Sequence, residues 1–399
     1  MSKVFEFYIS FSKEISMGYL NKKGEYIPFS LYIKEQFKKY PKAGSRDRKT
    51  VSQLDYTYFR TGKAFIDLGF EKKLALSTFL CEKQQNPLNT FVTEKFGNDL
   101  INKIESDLNT KITYLNTQYN LNLKNEDLFV PHIELSHLTN RDLFYLAQLE
   151  KPHTYIRVRN TKNEEVTNEL TSAKIEFKKD AEIDNCYYFS GHPTLTELQS
   201  FSKGFFEIQD RSSQLVLNNI EVKAESFWWD ACCASGGKSL LLLEKNKNIR
   251  IFASDVRQSI LDNYKKRISK VGFGNHETRL IDLASQTQNG YTFDGIICDV
   301  PCTGSGTWAR TPEQIEVFKT ETISTFKLKQ QAIVRNASQS LRKNGILVYI
   351  TCSVFKDENE NQVKYIQENL NLTLIESNLI EGAKQHADTM FVAVFKKEI

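Results

Sequence analysis

The sequence predicts an α/β fold, with a parallel sheet covered by helices on both faces in the C-terminal part of the chain. From residue 205 onward, short apolar runs alternate with amphipathic stretches of helical spacing, a pattern typical of a parallel sheet. Residues 1–147 instead carry apolar residues at helical spacing, and residues 148–204 carry short strand patterns. We therefore predict an all-α N-terminal domain (1–147), a small α/β module (148–204) and a C-terminal α/β domain (205–399).

Apolar runs and turn residues locate the individual elements. In the small module we predict strands at 155–159, 173–177 and 186–189 and a short helix at 194–203. In the C-terminal domain we predict strands at 226–230, 249–254, 278–281, 295–298 and 346–351, and helices at 238–247, 259–271, 313–343 (with a break) and 358–370. The last apolar runs, 372–375 and 391–395, are expected to form an antiparallel edge.

Composition excludes several classes of protein. The 399 residues are 40% hydrophobic and 26% charged with a net charge of +4, which is ordinary for a globular protein and too mild to indicate a nucleic-acid binder by itself. No apolar run is long enough for a membrane span, and residues 1–20 lack the apolar core of a secretory signal. Neither the seven cysteines nor the six histidines show metal-ligand spacing. We therefore expect a cytoplasmic protein with reduced thiols, no membrane contact and no metal.

A glycine turn between a strand and a helix marks a candidate cofactor site. The apolar strand ending at Asp230 leads into Gly236-Gly237, where backbone N–H groups can approach a ligand closely. Asp255, at the end of the next strand, can accept hydrogen bonds from two ribose hydroxyls, and Asp282 after the third strand can meet an adenine amine. The turn lacks the G-x-G-x-x-G fingerprint, which disfavours a dinucleotide. The residues of this turn are Cys232, Cys233, Ala234, Ser235, Gly236, Gly237 and Lys238.

Two further cysteines follow the fourth and fifth strands. Asp299 ends the fourth strand just before Cys302, and Cys352 follows the fifth strand. Because such strands are commonly neighbours, both thiols and Asp299 are expected to converge beside the cofactor. A thiolate can add to an electron-poor ring carbon, and a carboxyl group bonded to a ring nitrogen stabilises the developing charge. For the remaining cysteines, burial in a core is the simpler interpretation.

A basic cluster with interleaved aromatic residues lies in the N-terminal part, between residues 34 and 60. It includes Arg46, Arg48 and Lys49, near Tyr40 and Tyr56. From the residues alone, a solvated surface and an RNA-facing patch are equally good interpretations.

Three motifs resemble those of the S-adenosylmethionine-dependent cytosine-5 RNA methyltransferases of the Fmu/Sun type. Residues 230–239 match the family's D-x-C-A-A-P-G-G-K-T, residues 299–306 match D-A-P-C-S-G-x-G, and residues 351–360 match T-C-S-x-x-x-x-E-N-E. Residues 206–214 and 157–160 also look like family segments. Residues 44–49 resemble the G-S-R-D-R element of a NusB-like helical domain found in bacterial members that act on 16S ribosomal RNA.

The resemblance implies a fold and a reaction. It implies a Rossmann-like class I methyltransferase sheet, an RRM-like small module and a NusB-like N-terminal domain. Cys352 would attack C6 of a cytosine in RNA, Asp299 would bond its N3 edge, and Cys302 would help to break the adduct. Lys238 would orient Asp299 and the cofactor, with Asp255 at the ribose and Asp282 near the adenine. The cofactor would be S-adenosylmethionine, held by the turn and by Asp255, Asp282 and Asp299, and RNA, most simply ribosomal RNA, would be the partner of a monomeric protein. The candidate RNA contacts are Arg46, Arg48, Lys49, Arg157 and Arg310.

The chain departs from the family pattern at several positions and leaves alternatives open. Ser235 replaces a proline, Cys233 and Val300 replace alanines, and Ala309 stands where many members carry an arginine. A non-catalytic ribosome-assembly factor that retains S-adenosylmethionine is one alternative, and a transfer RNA methyltransferase is another. A small-molecule or DNA methyltransferase would explain the glycine turn but would leave the helical domain and its basic cluster without a role.

Overall fold

A computed structural model describes residues 2–22, 27–130, 132–288 and 290–398 of the chain. It divides into two compact units. The first unit contains residues 1–133, 139–151 and 308–318, and the second contains residues 134–138, 152–307 and 319–399. The small α/β module and the large sheet thus fall into one unit, and the three-part division of the chain stays a prediction. No helix among the described residues is long and apolar enough to span a membrane.

The first unit is helical, as the spacing of apolar residues predicts. Its core contains Phe29, Phe59 and Leu74, all fully buried, and a buried carboxyl, Asp55, accepts hydrogen bonds from the hydroxyls of Ser12 and Ser16. The helices are α1 (Ser2–Leu20), α2 (Phe29–Lys39), α3 (Ser45–Arg60), α4 (Phe70–Cys81), α5 (Pro87–Thr93), α6 (Leu108–Tyr119) and α7 (Arg141–Ala147).

Residues 308–318 pack within this helical unit, although the sequence assigns them to the C-terminal domain. Trp308 is almost fully buried and its ring lies 5.2 Å from that of Phe129, measured between centroids. A buried ion pair joins Lys73 Nζ to Glu316 Oε2 at 2.9 Å. The contacts of Trp308 and Glu316 therefore hold this segment in the first unit. The alternation of strands and helices in the sequence cannot predict such contacts.

The small module of the second unit is a four-stranded antiparallel sheet in the order β2-β3-β1-β4. The chain order β-α-β-β-α-β together with this strand order is the ferredoxin-like arrangement shared by RRM domains. The elements are β1 (Thr154–Val158), α8 (Asn163–Ser172), β2 (Lys178–Lys179), β3 (Cys186–Phe189), α9 (Gln199–Ser202) and β4 (Phe206–Ile208).

Two expectations for this module are wrong in detail. The strand predicted at 173–177 does not form, because the C-terminal turn of α8 extends into it. Lys174 has a left-handed φ of 54°, and Ile175 N donates a hydrogen bond to Leu170 O. The alternating Ile175 and Phe177 still pack on the module's core. The last strand, β4, begins two residues beyond the predicted boundary at 204 and pairs with β1.

The large sheet has seven strands in the order β10-β11-β9-β8-β5-β6-β7. Strands β5 to β9 are parallel to one another, and β10 and β11 form the antiparallel edge that the sequence predicts. The expected neighbours β8 and β9 pair directly. The remaining elements are α10 (Arg211–Leu215), β5 (Phe227–Asp230), α11 (Gly237–Lys245), β6 (Arg250–Asp255), α12 (Gln258–Lys270), β7 (His276–Leu280), β8 (Phe293–Asp299), α13 (Glu313–Val317, in the first unit), α14 (Glu321–Ser338), β9 (Leu341–Thr351), α15 (Glu360–Asn369), β10 (Leu372–Ile380) and β11 (Met390–Lys397).

Both faces of the large sheet are buried, which explains the nearly continuous apolar strands. Trp228 and Trp229 are adjacent on β5 and belong to the cores on opposite faces. Because β6 and β8 flank β5 on its two sides, the strand order reverses at β5, and ligands of open α/β sheets bind at the carboxyl ends of the strands near such a reversal. The glycine turn after β5 and the loop after β8 both lie at this position.

Candidate active site

The turn between β5 and α11 has the strained backbone that its glycines predict. Gly236 has a φ of 89° and precedes the first residue of α11, and Ala234 has a φ of 43°. A Cβ on Gly236 would lie only 2.8 Å from Cδ2 of Tyr264, whereas a Cβ on Gly237 would have ordinary contacts. Glycine at position 236 thus allows both the left-handed backbone and the close packing of α12 against the turn.

Carboxylates stand at or just beyond the ends of three parallel strands, β6, β7 and β8, of which β6 and β8 flank β5. Asp255 is buried, and its two oxygens accept hydrogen bonds from Ala234 N at 3.2 Å and Arg257 N at 3.0 Å. Asp282 accepts from Ala284 N at 3.0 Å and from the hydroxyl of Ser285 at 3.1 Å. An ionised carboxylate has about four acceptor positions, so both groups are oriented by these bonds and retain capacity for a ligand.

Asp230 at the end of β5 is the most deeply buried of these acids. Its Oδ2 accepts a hydrogen bond from the hydroxyl of Ser239 at 2.7 Å, while Oδ1 has no partner among the described residues. Burial raises the pKa of this carboxyl to about 7, and the nearby charge of Asp299 adds to the effect.

Lys238 and Asp299 lie together, as the family resemblance implies. Lys238 Nζ is 3.0 Å from Asp299 Oδ2, with the lysine side chain 11% and the aspartate side chain 28% exposed. The same ammonium group donates to the hydroxyl of Ser213 at 2.9 Å. Two protein acceptors therefore fix this ammonium group, and the more exposed Asp299 can meet a ligand.

The two predicted thiols also lie together. Cys302 Sγ and Cys352 Sγ are 3.4 Å apart, and both side chains are half-buried. They come together because Asp299 of β8 is paired in parallel register with Ile350 of β9, so the loops that follow the two strands start side by side. Gly306 N also donates a hydrogen bond to Cys352 O at 2.9 Å. Only glycine fits at this position, because a Cβ on residue 306 would lie 2.1 Å from Thr389 O.

The thiol of Cys302 holds its proton firmly. The hydrogen bond with Cys352, together with burial, raises the pKa of the Cys302 thiol well above its usual value. Either sulfur can be the donor in the contact between them. A thiol that holds its proton is a weak nucleophile, since the thiolate is the reactive form, so Cys302 is not suited to the first attack on a base.

Of the other five cysteines, Cys186, Cys233 and Cys298 are buried, and Cys81 and Cys232 are half-buried. Burial raises the pKa of Cys232, Cys233 and Cys298, so these groups stay protonated and unreactive. All seven cysteines of the chain are free. Within the described residues, no group of three or more His, Cys, Asp or Glu side chains is arranged to hold a metal.

The structure adds two residues that the sequence does not single out. Ser213 bonds Lys238 from α10, inside the segment 206–214 that resembles the family but received no residue assignments. Arg267 of α12 donates to Ser235 Oγ at 2.7 Å and forms an ion pair with Glu207. The hydroxyl at position 235 thus replaces the rigidity of the family's proline with a hydrogen bond.

The candidate RNA contacts divide into two groups. Arg46 and Lys49 are exposed on the first turns of α3, and Arg48 is half-buried, donating to Ala43 O at 2.9 Å. Arg310 is half-buried within the first unit. These positions stay predictions.

Arg157 corrects an expectation. Only 5% of this residue is exposed, and its guanidinium donates to Gln209 Oε1 at 2.8 Å and pairs with Glu244. The basic residue of the family-like segment 157–160 therefore connects the small sheet to α11 and is not available to RNA. Ala309, the position that lacks the family's arginine, is also buried, and its carbonyl accepts a bond from Arg60 Nη1 at 3.0 Å.

Comparisons with known proteins agree with this geometry. Residues 217–396 match the family model described as "16S rRNA methyltransferase RsmB/F". A tRNA (cytosine(72)-C(5))-methyltransferase of Pyrococcus horikoshii is 31% identical over 44% of this chain and 44% of its own length. A probable ribosomal RNA small subunit methyltransferase B of Bacillus subtilis is 30% identical over 54% of this chain and 50% of its own. The chain thus spans about half the length of these curated relatives.

Solved structures agree with the fold over a longer stretch. The crystal structure of PH0851 covers 100% of this chain and 99% of its own, with a TM-score of 0.69 at 18% identity. The structure of NSun6 from Pyrococcus horikoshii with SFG covers 62% of this chain and 91% of its own, with a TM-score of 0.56 at 20% identity. At these identities the likeness shows the fold. The resemblance that the three motifs predict is thereby confirmed over residues 217–396, which match the RsmB/F methyltransferase family model.

Proposed function

We propose that the chain is an S-adenosylmethionine-dependent RNA cytosine-5 methyltransferase that acts on 16S ribosomal RNA. The observation that carries this proposal is the pair of thiols 3.4 Å apart, at the sheet edge where Lys238 and Asp299 form their ion pair. Methylation of C5 needs a nucleophile that activates the ring and a second group that assists release, and this edge offers both. The names of the relatives, a ribosomal RNA methyltransferase and a methyltransferase for cytosine 72 of transfer RNA, support the reaction class.

The residues around the glycine turn fit S-adenosylmethionine. Its ribose hydroxyls, amino group and adenine amine are hydrogen-bond donors, and Asp255, Asp282 and Asp299 are acceptors at the ends of β6, β7 and β8 or just beyond them. Two backbone N–H bonds already orient Asp255. We assign the turn residues 232–238 to the same ligand. When bound, S-adenosylmethionine supplies an electrophilic methyl group.

Cys352 is the proposed nucleophile. Its thiolate forms a bond to C6 of the cytosine, the C5–C6 double bond opens, and C5 becomes electron-rich. Asp299 hydrogen-bonds the N3 edge and supports protonation there, while Lys238 orients Asp299. The target base must leave its stack to reach this edge of the sheet.

Cys302 is the proposed release group. After methylation, Cys302 gives up its own proton to solvent and its thiolate takes the proton from C5, while the C6–S bond breaks so that its electrons return to Cys352 and the C5–C6 double bond reforms. Cys302 Sγ is 3.4 Å from the sulfur that leaves. Asp299 precedes Cys302 by three residues, and Lys238 follows β5, the strand beside β8. We therefore propose that all four groups act on one base.

Transfer of a labelled methyl group from S-adenosylmethionine into total RNA tests the proposal. We expect label in a 16S ribosomal RNA band with the wild type, no label with Cys352→Ala, and a covalent RNA–protein adduct with Cys302→Ala. Label in transfer RNA would instead support the activity for which the Pyrococcus horikoshii relative is named. Binding of S-adenosylmethionine with no label in any RNA would contradict the enzyme and favour an assembly factor. We further propose a monomeric, cytoplasmic protein, which size measurement in solution and cell fractionation can check.

A further inference from the structure

A fully buried carboxyl, Glu358, bonds both of the loops that carry the thiols. Its Oε1 accepts hydrogen bonds from Thr303 N and from Gln330 Nε2, each at 3.0 Å. Its Oε2 accepts from the hydroxyl of Thr303 at 2.5 Å and from the hydroxyl of Ser353 at 2.6 Å. All four acceptor positions of the carboxylate are therefore filled by protein donors.

The donors come from the residues directly after the two thiols. Thr303 follows Cys302, and Ser353 follows Cys352. A single carboxyl group thus connects the loop after β8 to the loop after β9 within one residue of each sulfur. The side-chain amide of Gln330 extends the same connection to Pro301 O at 3.1 Å.

The two loops are also connected by hydrogen bonds that do not involve Glu358 and join only uncharged groups. The hydroxyls of Ser305 and Ser353 lie 3.0 Å apart, and Ser305 Oγ accepts from Val354 N at 2.9 Å. These are neutral hydrogen bonds, whereas bonds to an ionised carboxylate are roughly twice as strong. Loss of the carboxylate should therefore loosen the connection without abolishing it.

We propose that Glu358 is a positioning residue that holds Cys302 against Cys352. It touches neither sulfur and acts through Thr303 and Ser353. The inference deepens the proposed function, on which its consequence for the reaction rests. Bond formation to the base needs Cys352 alone, whereas release needs the second thiol close by, so Glu358 supports the release half of the reaction.

The placement of the thiols can be measured without RNA. Phenylarsine oxide binds two thiols through one arsenic atom, with loss of water, when they are adjacent. We expect Glu358→Gln to slow this bridging by about tenfold or more, as expected for a displacement of about 1 Å between reacting groups. Intact-mass measurement follows the bridged species, and Cys352→Ala defines the background from the other cysteines.

Glu360→Gln is the matched control. It is the same substitution two residues away, and Glu360 bonds Ser136 Oγ and His137 N but no residue of the loop after β8. Bridging should keep its wild-type rate in this variant. Ser353→Ala removes one of the two loop contacts of Glu358 and should slow bridging to a smaller extent, which preserves the test if Glu358→Gln does not fold.

The second readout is the covalent RNA–protein adduct. Glu358→Gln should accumulate adduct during turnover, as Cys302→Ala does, while Glu360→Gln should not. Wild-type bridging rates in folded Glu358→Gln and Ser353→Ala would overturn the inference. Slowed bridging without adduct would overturn the part concerning release. If even the wild type does not methylate RNA, the proposed function fails, and the bridging rates still decide whether Glu358 places the thiols.

Discussion

At the scale of single residues, the site combines groups whose protonation is set by their neighbours. Cys302 keeps its proton because Cys352 and burial raise its pKa, and the ammonium of Lys238 is held between Asp299 and Ser213. The neighbours of Cys302 thereby set its protonation, and the neighbours of Lys238 set the position of its ammonium group. Substitutions that keep the volume of a side chain and remove its charge are the sharpest probes of such groups.

Lys238→Met should impair the chemical step. The variant keeps most of the apolar stem and removes the ammonium 3.0 Å from Asp299 Oδ2, so the carboxyl loses its orientation. We expect kcat to fall by about 10²-fold to 10³-fold with little change in the KM for RNA, measured by steady-state methyl transfer. Lys245→Met, at the other end of α11, removes only a surface bond to Asn218 O and serves as the control. A wild-type kcat for Lys238→Met would contradict the assigned role.

Asp230 should make stability depend on pH. Its pKa is raised from 3.8 to about 7 in the folded protein. Between pH 3.8 and about pH 7, the folded chain therefore holds a proton on Asp230 that the unfolded chain has lost. Stability therefore falls as the pH rises through this range. An asparagine at this position cannot ionise, so Asp230→Asn does not lose stability in this way as the pH rises. The unfolding free energy of the variant minus that of the wild type should therefore be larger at pH 8 than at pH 5, by on the order of a few kcal/mol.

Urea unfolding of both proteins at pH 5 and pH 8 measures this difference. Glu313, whose pKa burial also raises to about 7, is present in both proteins, so its contribution cancels in the comparison. Equal differences between variant and wild type at the two pH values would show that Asp230 is ionised in the folded state throughout.

At the scale of elements, the turn after β5 depends on the difference between two adjacent glycines. Gly236→Ala would place a Cβ at a φ of 89° and 2.8 Å from the ring of Tyr264, whereas Gly237→Ala meets only an ordinary contact with Gln209 at 3.6 Å. We expect the first variant to lose about 1–3 kcal/mol of unfolding free energy and to bind S-adenosylmethionine more weakly. Denaturant unfolding and calorimetric titration measure the two effects. Equal stability of the two variants would refute the strain argument.

An element can be predicted from the sequence when the contacts that stabilise it leave a regular pattern in its own residues. Strands β5, β6, β8 and β9 are predictable because both of their faces are buried, and the acids and thiols at their ends are predictable because parallel strands end at one edge. The strand at 173–177 is a wrong prediction because a left-handed Lys174 and the cap of α8 override an alternating pattern. The contacts of Glu358 join residues 55 positions apart, and no periodicity reports such a connection.

At the scale of the whole molecule, the chain contains two compact units with different chemical character. The second unit holds the sheet edge with its thiols and acids, and the first is helical and contains the exposed Arg46 and Lys49. The buried position of Arg157 removes one basic residue of the second unit from the candidates for RNA binding. The proposed contribution of the first unit is therefore electrostatic affinity for RNA, separate from the chemistry at the thiols.

Replacing Arg46 and Lys49 together by glutamine should weaken RNA binding without slowing the chemical step. Each side chain is exposed at the start of α3, where a phosphate contact releases counterions and makes affinity fall with salt. Loss of two such contacts should raise the KM for RNA several-fold, leave kcat unchanged, and reduce the slope of log affinity against log salt by about one to two. Lys72→Gln with Lys103→Gln changes the net charge equally at exposed positions of the same unit and should keep the wild-type slope. Equal effects of the two double variants would mean that overall charge, and no local patch, attracts the RNA. A wild-type KM and slope for the Arg46 and Lys49 variant would exclude this patch from RNA binding altogether.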